Sequence, residues 1–227
     1  MDTLETFVWP GGQEPKPATN KNHLRIYSHN LCPFSTRSRM ALAAKGIEVQ
    51  NCFIDLNDKN QWLLDFNGGF VPVLENTDGT LIPESGIITS FALEFGGDKG
   101  AQLIPEDPFV AAKMRVEMNK FDKTIKDYFA VVISRYEDEE KINTFVENIL
   151  PKYEEACTNA NGKYLMGTDD VTFIDIYVAG IWDTMFTGVL APAHADGAEK
   201  LDLKNRAPNW WAYMERIREH PELKKAQ

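Results

Sequence analysis

Cys32-Pro33-Phe34-Ser35 is a short run in which one thiol stands between a predicted strand and a predicted helix. The residues before it, His-Leu-Arg-Ile-Tyr-Ser at 23–28, alternate apolar and polar side chains as a strand does. Pro33 suits the first position of a helix, because its fixed φ fits there and its missing N–H would have no partner in the helix. Apolar residues recur at helical spacing over 40–44, and Gly46 ends the helix.

This position favours the thiolate form of Cys32. The free N–H groups and the positive dipole end of a helix stabilise a negative charge, by roughly 0.3–1 kcal/mol or about 2 where the site is partly buried. The second cysteine of a Cys-x-x-Cys redox site is replaced by Ser35, so a reducing cycle needs an external thiol. A buried structural cysteine is the alternative interpretation, and His29, three residues earlier, is the candidate for a Cys-His pair.

Composition excludes several classes of protein. With 227 residues, of which 43% are hydrophobic and 26% charged, the chain is long enough for one large globular domain or two small ones. The net charge of -10 argues against nucleic acid and anionic membranes as partners. No apolar run has the length of a membrane span and no signal peptide is recognisable, so we expect a cytoplasmic protein.

Neither the cysteines nor the histidines form a recognisable metal or disulfide pattern. Three cysteines are an odd number without the spacing of a disulfide framework. Cys52 falls in an apolar strand and Cys157 late in a helix, and both are expected to be inert packing residues. The sequence contains four histidines: His23, His29, His194 and His220. They are scattered without the spacing of metal ligands, so no metal site is predicted.

The order of elements predicts two domains. Residues 1–22, rich in proline and glycine, read as an extended arm. A strand over 47–55 follows the helix after Cys32, which makes a parallel crossover. A helix over 59–66 leads to strands at 71–75 and 80–82, joined by an Asp-Gly turn that predicts a hairpin.

A second, helical half follows the α/β half. Residues 99–107 read as a linker, and Pro108 starts a helix. Apolar residues then recur every three or four positions over 114–132 and 142–153, as in core-facing helices. Thr172 and Asp175 form a capping box that opens a buried helix, a role in folding rather than in catalysis.

Together these motifs resemble the glutathione transferase family, and the Cys-Pro-Phe variant is similar to its omega class. The likeness is dense within residues 26–91 and rests on Ile-Tyr-Ser-x-x-x-Cys-Pro-Phe-Ser-x-Arg-x-Arg, Ala-Lys-Gly-Ile, Val-Pro-Val-Leu-Glu-Asn and Pro-Glu-Ser. It implies a thioredoxin-like α/β domain over 23–98, with a mixed four-stranded sheet and helices, and an all-α domain over 108–227. It also implies a cis peptide bond between Val71 and Pro72. The loop Asn67-Gly68-Gly69 departs from the family pattern by one missing residue.

The resemblance implies glutathione as co-substrate, no permanently bound cofactor, and Cys32 as the catalytic nucleophile. Val71 would pair with the tripeptide backbone as an added strand does. Ser85 would bind the γ-glutamyl carboxylate, Glu84 the ammonium group and Lys59 the glycyl carboxylate. Capping of the following helix is the alternative role of Glu84 and Ser85, and Lys59 reads otherwise as a surface lysine. The implied glutathione-binding residues are Phe34, Lys59, Val71, Pro72, Glu84 and Ser85.

The electrophile is expected next to Cys32, between the two domains, with apolar walls from the helical half. Aromatic residues of that half are candidates, although the same residue types are common in plain cores. His194 and the segment 187–197 are expected to form a loop at the same cleft. The candidates are Tyr128, Trp182, Phe186, Trp210 and Trp211.

The sequence therefore predicts a glutathione-dependent thiol transferase and reductase, acting on glutathionylated thiols, dehydroascorbate or S-phenacyl-type glutathione adducts, and expected to be a homodimer. A conjugating transferase in which Ser28, Tyr27 or Ser35 activates glutathione is one alternative. A non-enzymatic binding module is another, such as the intracellular chloride channel-like proteins, which share Cys-Pro-Phe-Ser, or the translation elongation factor subunit. Lys59 and the Glu84-Ser85 pair favour the enzyme.

Overall fold

The computed structural model describes residues 4–187 and 197–224. These residues divide into two compact units, one ending at Ala101 and the other spanning Gln102–Lys224. The division falls inside the segment that the sequence predicts as a linker, 99–107. Each unit is described below by itself.

The first unit is built on a mixed β-sheet. Within the described residues it has five strands in the order β1-β3-β2-β4-β5. The strands are β1 (Phe7–Trp9), β2 (Leu24–Ser28), β3 (Val49–Ile54), β4 (Val73–Glu75) and β5 (Leu81–Pro83). The helices of this unit are α1 (Pro33–Ala44), α2 (Gln61–Asn67) and α3 (Ser85–Gly96).

Strand β2 is the centre of the sheet, and every residue in it is buried. It pairs parallel with β3 from Leu24 opposite Val49, as the crossover through α1 requires. On its other side it pairs antiparallel with β4, and β4 pairs antiparallel with β5. The predicted thioredoxin-like class, the parallel crossover and the hairpin are confirmed, and so is the cis bond between Val71 and Pro72.

The sheet has one strand more than the four predicted. Residues in the arm at 1–22, expected to be extended without forming an element, contribute β1, which pairs parallel with β3 from Phe7 opposite Cys52. The rings of Phe7 and Trp9 pack against the core cluster around Cys52. A strand of three residues shows no period of its own in the sequence, and its pairing partner lies more than forty positions away, so local patterns cannot reveal it.

The second unit is entirely helical in its described part, as predicted. Its helices surround a core rich in aromatic rings, and no helix among the described residues is long and apolar enough to cross a membrane. The helices are α4 (Pro108–Asp122), α5 (Ile125–Ile133), α6 (Glu139–Asn148), α7 (Leu150–Asn159), α8 (Phe173–Thr187), α9 (Gly197–Lys200), α10 (Leu203–Arg206), α11 (Pro208–Glu219) and α12 (Pro221–Lys224).

The capping box predicted from Thr172 and Asp175 is present at the start of α8. The fully buried Asp175 carboxylate accepts hydrogen bonds from the Thr172 N–H at 2.7 Å and the Leu165 N–H at 2.9 Å. It also accepts from the Tyr213 hydroxyl at 2.7 Å. A buried carboxylate needs this many donors to offset its desolvation, so Asp175 has the folding role that the sequence predicts.

A second buried carboxylate, Glu75 on β4, joins the N-terminal arm to the sheet. Its side chain is 1% exposed and accepts from the Tyr27 hydroxyl at 2.8 Å and from Arg25 Nη1 at 3.2 Å. From the arm, Thr19 Oγ1 donates at 2.9 Å and Lys16 Nζ forms a short ion pair. Burial raises the pKa of Glu75, but the hydrogen bonds from Lys16, Tyr27 and Thr19 outweigh that effect and hold it below its usual value.

We expect Glu75→Gln to lower the free energy of unfolding at neutral pH by about 3 kcal/mol, because it leaves two cations around an uncharged group. A carboxylate with a lowered folded-state pKa stabilises the fold above the unfolded-state value, about 4.3 for glutamate, and loses that contribution as the pH falls through the lower value. The difference in the free energy of unfolding between wild type and Glu75→Gln should therefore shrink in acid. Urea denaturation of the two proteins at neutral pH and near pH 4 measures this difference.

The matched control is Glu48→Gln, which removes an exposed carboxylate and should change the free energy of unfolding by no more than about 0.5 kcal/mol. A Glu75→Gln loss that is equal at the two pH values would contradict the ionised state of Glu75.

Candidate active site

Cys32 is the residue that precedes α1, with Pro33 in the first helical position. The Cys32 N–H donates to the His29 carbonyl at 3.1 Å, and the Cys32 carbonyl accepts from the Thr36 N–H at 2.9 Å. The side chain is half-buried, and its Sγ lies 3.6 Å from the carbonyl oxygen of Val71. The predicted position of Cys32 between a strand and a helix N-terminus is confirmed.

Cys32 is the accessible thiol of the chain. All three cysteines are free, but Cys52 is 0% and Cys157 3% exposed. Burial raises the pKa of Cys52 to about 12, and burial likewise raises the pKa of Cys157. At neutral pH both are therefore protonated and shielded, which confirms the packing role predicted for them.

His29 is a poor candidate for a base toward Cys32. Its Nδ1 accepts a hydrogen bond from the Leu31 N–H at 3.0 Å. The neutral ring then carries its proton on Nε2 and has no further lone pair to accept the thiol proton. Burial lowers the pKa of His29, and the nearby Arg39 acts in the same direction while Asp55 opposes it. The ring is thus neutral at physiological pH.

Ser85 begins α3, and its hydroxyl is bound by a buried arginine of α1. Arg37 donates to Ser85 Oγ from Nη2 at 2.7 Å and from Nε at 3.0 Å. A hydroxyl has two acceptor lone pairs and one donor hydrogen. With both lone pairs occupied, the Ser85 hydrogen is directed to an acceptor elsewhere. Together with the first free N–H groups of α3, this makes an arrangement suited to a carboxylate.

Glu84 and Phe34 flank this pair. Glu84 is exposed and has φ 74° and ψ 110°, an unusual backbone conformation for a residue with a side chain. Its carboxylate stands next to the start of α3, where an ammonium group of a bound peptide would find an anionic partner. The half-buried Phe34 lies in the first turn of α1, with its ring centroid 5.4 Å from Arg37 Cζ.

The Lys59 side chain contacts the loop that precedes β4. Its Nζ lies 5.6 Å from the ring centroid of Phe70. Its alkyl chain packs on Gly69, where an added Cβ would lie 2.8 Å from Lys59 Cδ. Since Phe70 is followed directly by Val71, Lys59 and Cys32 contact neighbouring residues of the same loop. The contacts thus link Lys59 and Cys32 through the loop before β4, and Arg37 links Ser85 to α1, the helix that Cys32 precedes.

The residues predicted to contact the electrophile lie in the second unit, and most belong to its core. Tyr128, Trp182 and Trp210 are buried, and the Tyr128 hydroxyl donates to the Ile181 carbonyl at 2.6 Å. Trp211 is half-buried on α11. Phe186 belongs to α8, but its side chain, like His194 and 188–196, lies outside the described residues. Their role toward an electrophile stays a prediction.

Arg37 is the contributor that sequence reasoning missed. Its position continues the buried stripe of Met40, Ala41 and Ala44 back by three and four residues, so the helical period itself places a charged group inside. A charged residue at a position that the helical period buries was the signal in the sequence that could have identified Arg37. The partner, Ser85, lies 48 positions along the chain and could not be read from the period. Among the described residues, no group of three or more acidic, histidine or cysteine side chains is placed to hold a metal ion.

Comparison with known proteins agrees with this architecture. The sequence model of the glutathione S-transferase N-terminal domain matches residues 31–93, and that of the C-terminal domain matches residues 119–226. Glutathione S-transferase omega-1 of Mus musculus is 34% identical over 173 residues, which are 75% of this chain and 70% of the relative. The omega-1 protein of Rattus norvegicus is 31% identical over 206 residues, 90% of this chain and 81% of the relative.

A solved structure shows the same fold. Glutathione transferase Omega 3C from Trametes versicolor superimposes with a TM-score of 0.73, at 24% identity, over 95% of this chain and 86% of the Trametes chain.

We expect iodoacetamide to alkylate the native protein once, at Cys32, because burial keeps the other two thiols protonated and inaccessible. Intact-protein mass spectrometry at neutral pH should show a single adduct in wild type and none in Cys32→Ser. In His29→Ala the rate should stay within about twofold of wild type, since a neutral histidine with its proton on Nε2 offers the thiol no base. A large loss of alkylation rate in His29→Ala would instead support a Cys-His pair.

Proposed function

The chain belongs to the glutathione S-transferase family, and we propose that within this family it is a glutathione-dependent thiol transferase and reductase of omega type. The observation that carries the proposal is the chemistry of Cys32. It is a half-buried free thiol at the N-terminus of α1, 3.6 Å from the Val71 carbonyl, and the other two thiols are buried. A family member that only conjugates has no need of a nucleophile there.

The cycle has two exchange steps. The Cys32 thiolate attacks the glutathione sulfur of a glutathionylated thiol, the substrate leaves as a thiolate that takes up a proton, and Cys32 is left disulfide-bonded to glutathione. The thiolate of a second glutathione then attacks that sulfur and releases oxidised glutathione and the Cys32 thiolate. Ser35 stands where a resolving cysteine would be, so the external thiol completes the cycle.

Glutathione binding is assigned to the surface around Cys32. The Ser85 hydroxyl, directed by Arg37, and the N-terminus of α3 receive the γ-glutamyl carboxylate, and Glu84 pairs with the ammonium group. The backbone of Val71, held by Pro72, pairs with the tripeptide backbone. Lys59 binds the glycyl carboxylate. Phe34 covers the cysteinyl part from the first turn of α1.

The substrates proposed are glutathionylated thiols first, with dehydroascorbate and S-phenacyl-type glutathione adducts as further electrophiles. Conjugation to aryl halides should be weak. A serine or tyrosine hydroxyl keeps the glutathione thiolate free for conjugation, whereas a cysteine at that place forms a bond with it. Glutathione is a co-substrate, and no permanently bound cofactor is proposed.

A homodimer in the cytoplasm is the proposed state of the protein. Support comes from the outer surface of α3, where Ile87 is 58% and Phe95 60% exposed, and the Phe95 ring stacks on Phe91 with centroids 5.1 Å apart. Exposed apolar residues of this size on one helix are common at subunit interfaces.

Light scattering coupled to gel filtration should give twice the mass of the chain, and Phe95→Glu should shift the measured mass toward that of the monomer. A monomeric wild type would contradict the proposal.

The function is tested by the reduction of 2-hydroxyethyl disulfide with glutathione. Wild type should be active, Cys32→Ser should lose at least about 100-fold because no mixed disulfide can form, and Cys157→Ala should remain active as the control that keeps the reactive thiol. Incubation with oxidised glutathione should add one glutathionyl group, located by peptide mapping on Cys32.

Each alternative has its own outcome. Disulfide reduction that survives Cys32→Ser would contradict the assignment. Conjugating activity that survives Cys32→Ala, with no reductase activity in wild type, would favour a conjugating transferase. A protein that is not retained on immobilised glutathione would favour a non-enzymatic binding module.

A further inference from the structure

The N-terminal arm contacts the chain on both sides of Lys59. The arm's strand β1 pairs with β3 up to Trp9, which stands opposite Ile54. Beyond it, the Pro10 carbonyl accepts a short hydrogen bond from the Asn60 side-chain amide. The Gly12 carbonyl accepts from the N–H of Gln61 at 2.9 Å. The arm therefore contacts the end of the segment that connects β3 to α2.

Gly11 makes the closest of these contacts. A Cβ added to Gly11 would lie 2.0 Å from the carbonyl oxygen of Asp58 and 2.5 Å from its Oδ2. Real Cβ atoms do not approach backbone oxygen this closely, so only glycine lets the arm lie against residue 58. Asn60 is completely buried at the same place. The contact is one of backbone against backbone, which leaves little freedom to either segment.

Lys59 lies between the two residues that the arm holds. Its backbone position is set by Asp58 and Asn60, while its side chain extends to Gly69 and Phe70 in the loop before Val71. A lysine side chain has four rotatable bonds, and fixing them on a ligand costs up to about 2 kcal/mol of entropy. A lysine whose backbone and alkyl chain are already held loses less on binding a carboxylate.

We propose that the arm segment 9–12 positions Lys59 for the glycyl carboxylate of glutathione and thereby sets the affinity of the site. This inference rests on the function proposed above, in which Lys59 binds that carboxylate. Gly11 and Asn60 are positioning residues. Neither is among the residues assigned to glutathione, and they act through the backbone on both sides of Lys59.

The experiment is a double-mutant cycle read as glutathione affinity. Calorimetric titrations use full-length protein carrying Cys32→Ser, where no mixed disulfide forms. Gly11→Ala should weaken glutathione binding about five- to tenfold, as should Lys59→Met, and the double variant should be no weaker than Lys59→Met alone. Asn60→Ala gives a second test should Gly11→Ala not fold. The control is Val8→Ala, an exposed residue of the same arm, which should leave the affinity unchanged.

A substrate analogue separates positioning from a general loosening of the fold. Glutathione ethyl ester lacks the glycyl carboxylate, so Gly11→Ala should bind it as well as the Val8→Ala control does. In protein that keeps Cys32, Gly11→Ala should raise KM for glutathione and leave kcat within about twofold of wild type.

Failure of the proposal and failure of the function it rests on give different results. A Gly11→Ala penalty that persists in the Lys59→Met background, or with the ester, overturns the positioning role and leaves the assignment of Lys59 intact. An unchanged affinity in Lys59→Met alone refutes that assignment itself, and the positioning role with it.

Discussion

The ion pairs and hydrogen bonds of Glu75 are the interaction on which the first unit depends. One buried carboxylate on β4 binds Arg25 and Tyr27 of the central strand and Lys16 and Thr19 of the arm. A buried charge of this kind is tolerated only while its partners stay in place. The carboxylate therefore fixes residues of the N-terminal arm against the sheet. The same arm forms β1, the edge strand that pairs with β3.

The active-site surface is built on that framework at the ends of its elements. Cys32 and Ser85 are each placed by the start of a helix, α1 and α3, and Arg37 bonds the two helices across a buried contact. Lys59 comes from the connection between β3 and α2, which the arm holds. Side chains at helix starts have free N–H groups beside them, so the starts of α1 and α3 each offer a place for negative charge. A tripeptide with two carboxylates and a reactive sulfur matches that distribution.

Local patterns predicted much of this arrangement, and the failures share one cause. Pro33 after Cys32, the turn at Asp78-Gly79 and the capping box at Asp175 are signals within a few residues, and each one appears in the structure as expected. Strand β1, the bond from Arg37 to Ser85 and the contact of Pro10 with Asn60 join positions about fifty apart. Such pairings depend on the assembled fold and leave no local period to recognise.

The conformation of Glu84 has a consequence for how the site is maintained. A glycine would adopt φ 74° at little steric cost, but this chain places a glutamate there and stores about 1 kcal/mol or more of backbone strain. The hydrogen-bonded start of α3 sustains that strain. The backbone consequently sets the direction of the Cα–Cβ bond of Glu84 before any ligand arrives, so the molecule gives up some folding stability in exchange for the placement of an acidic residue at the start of α3.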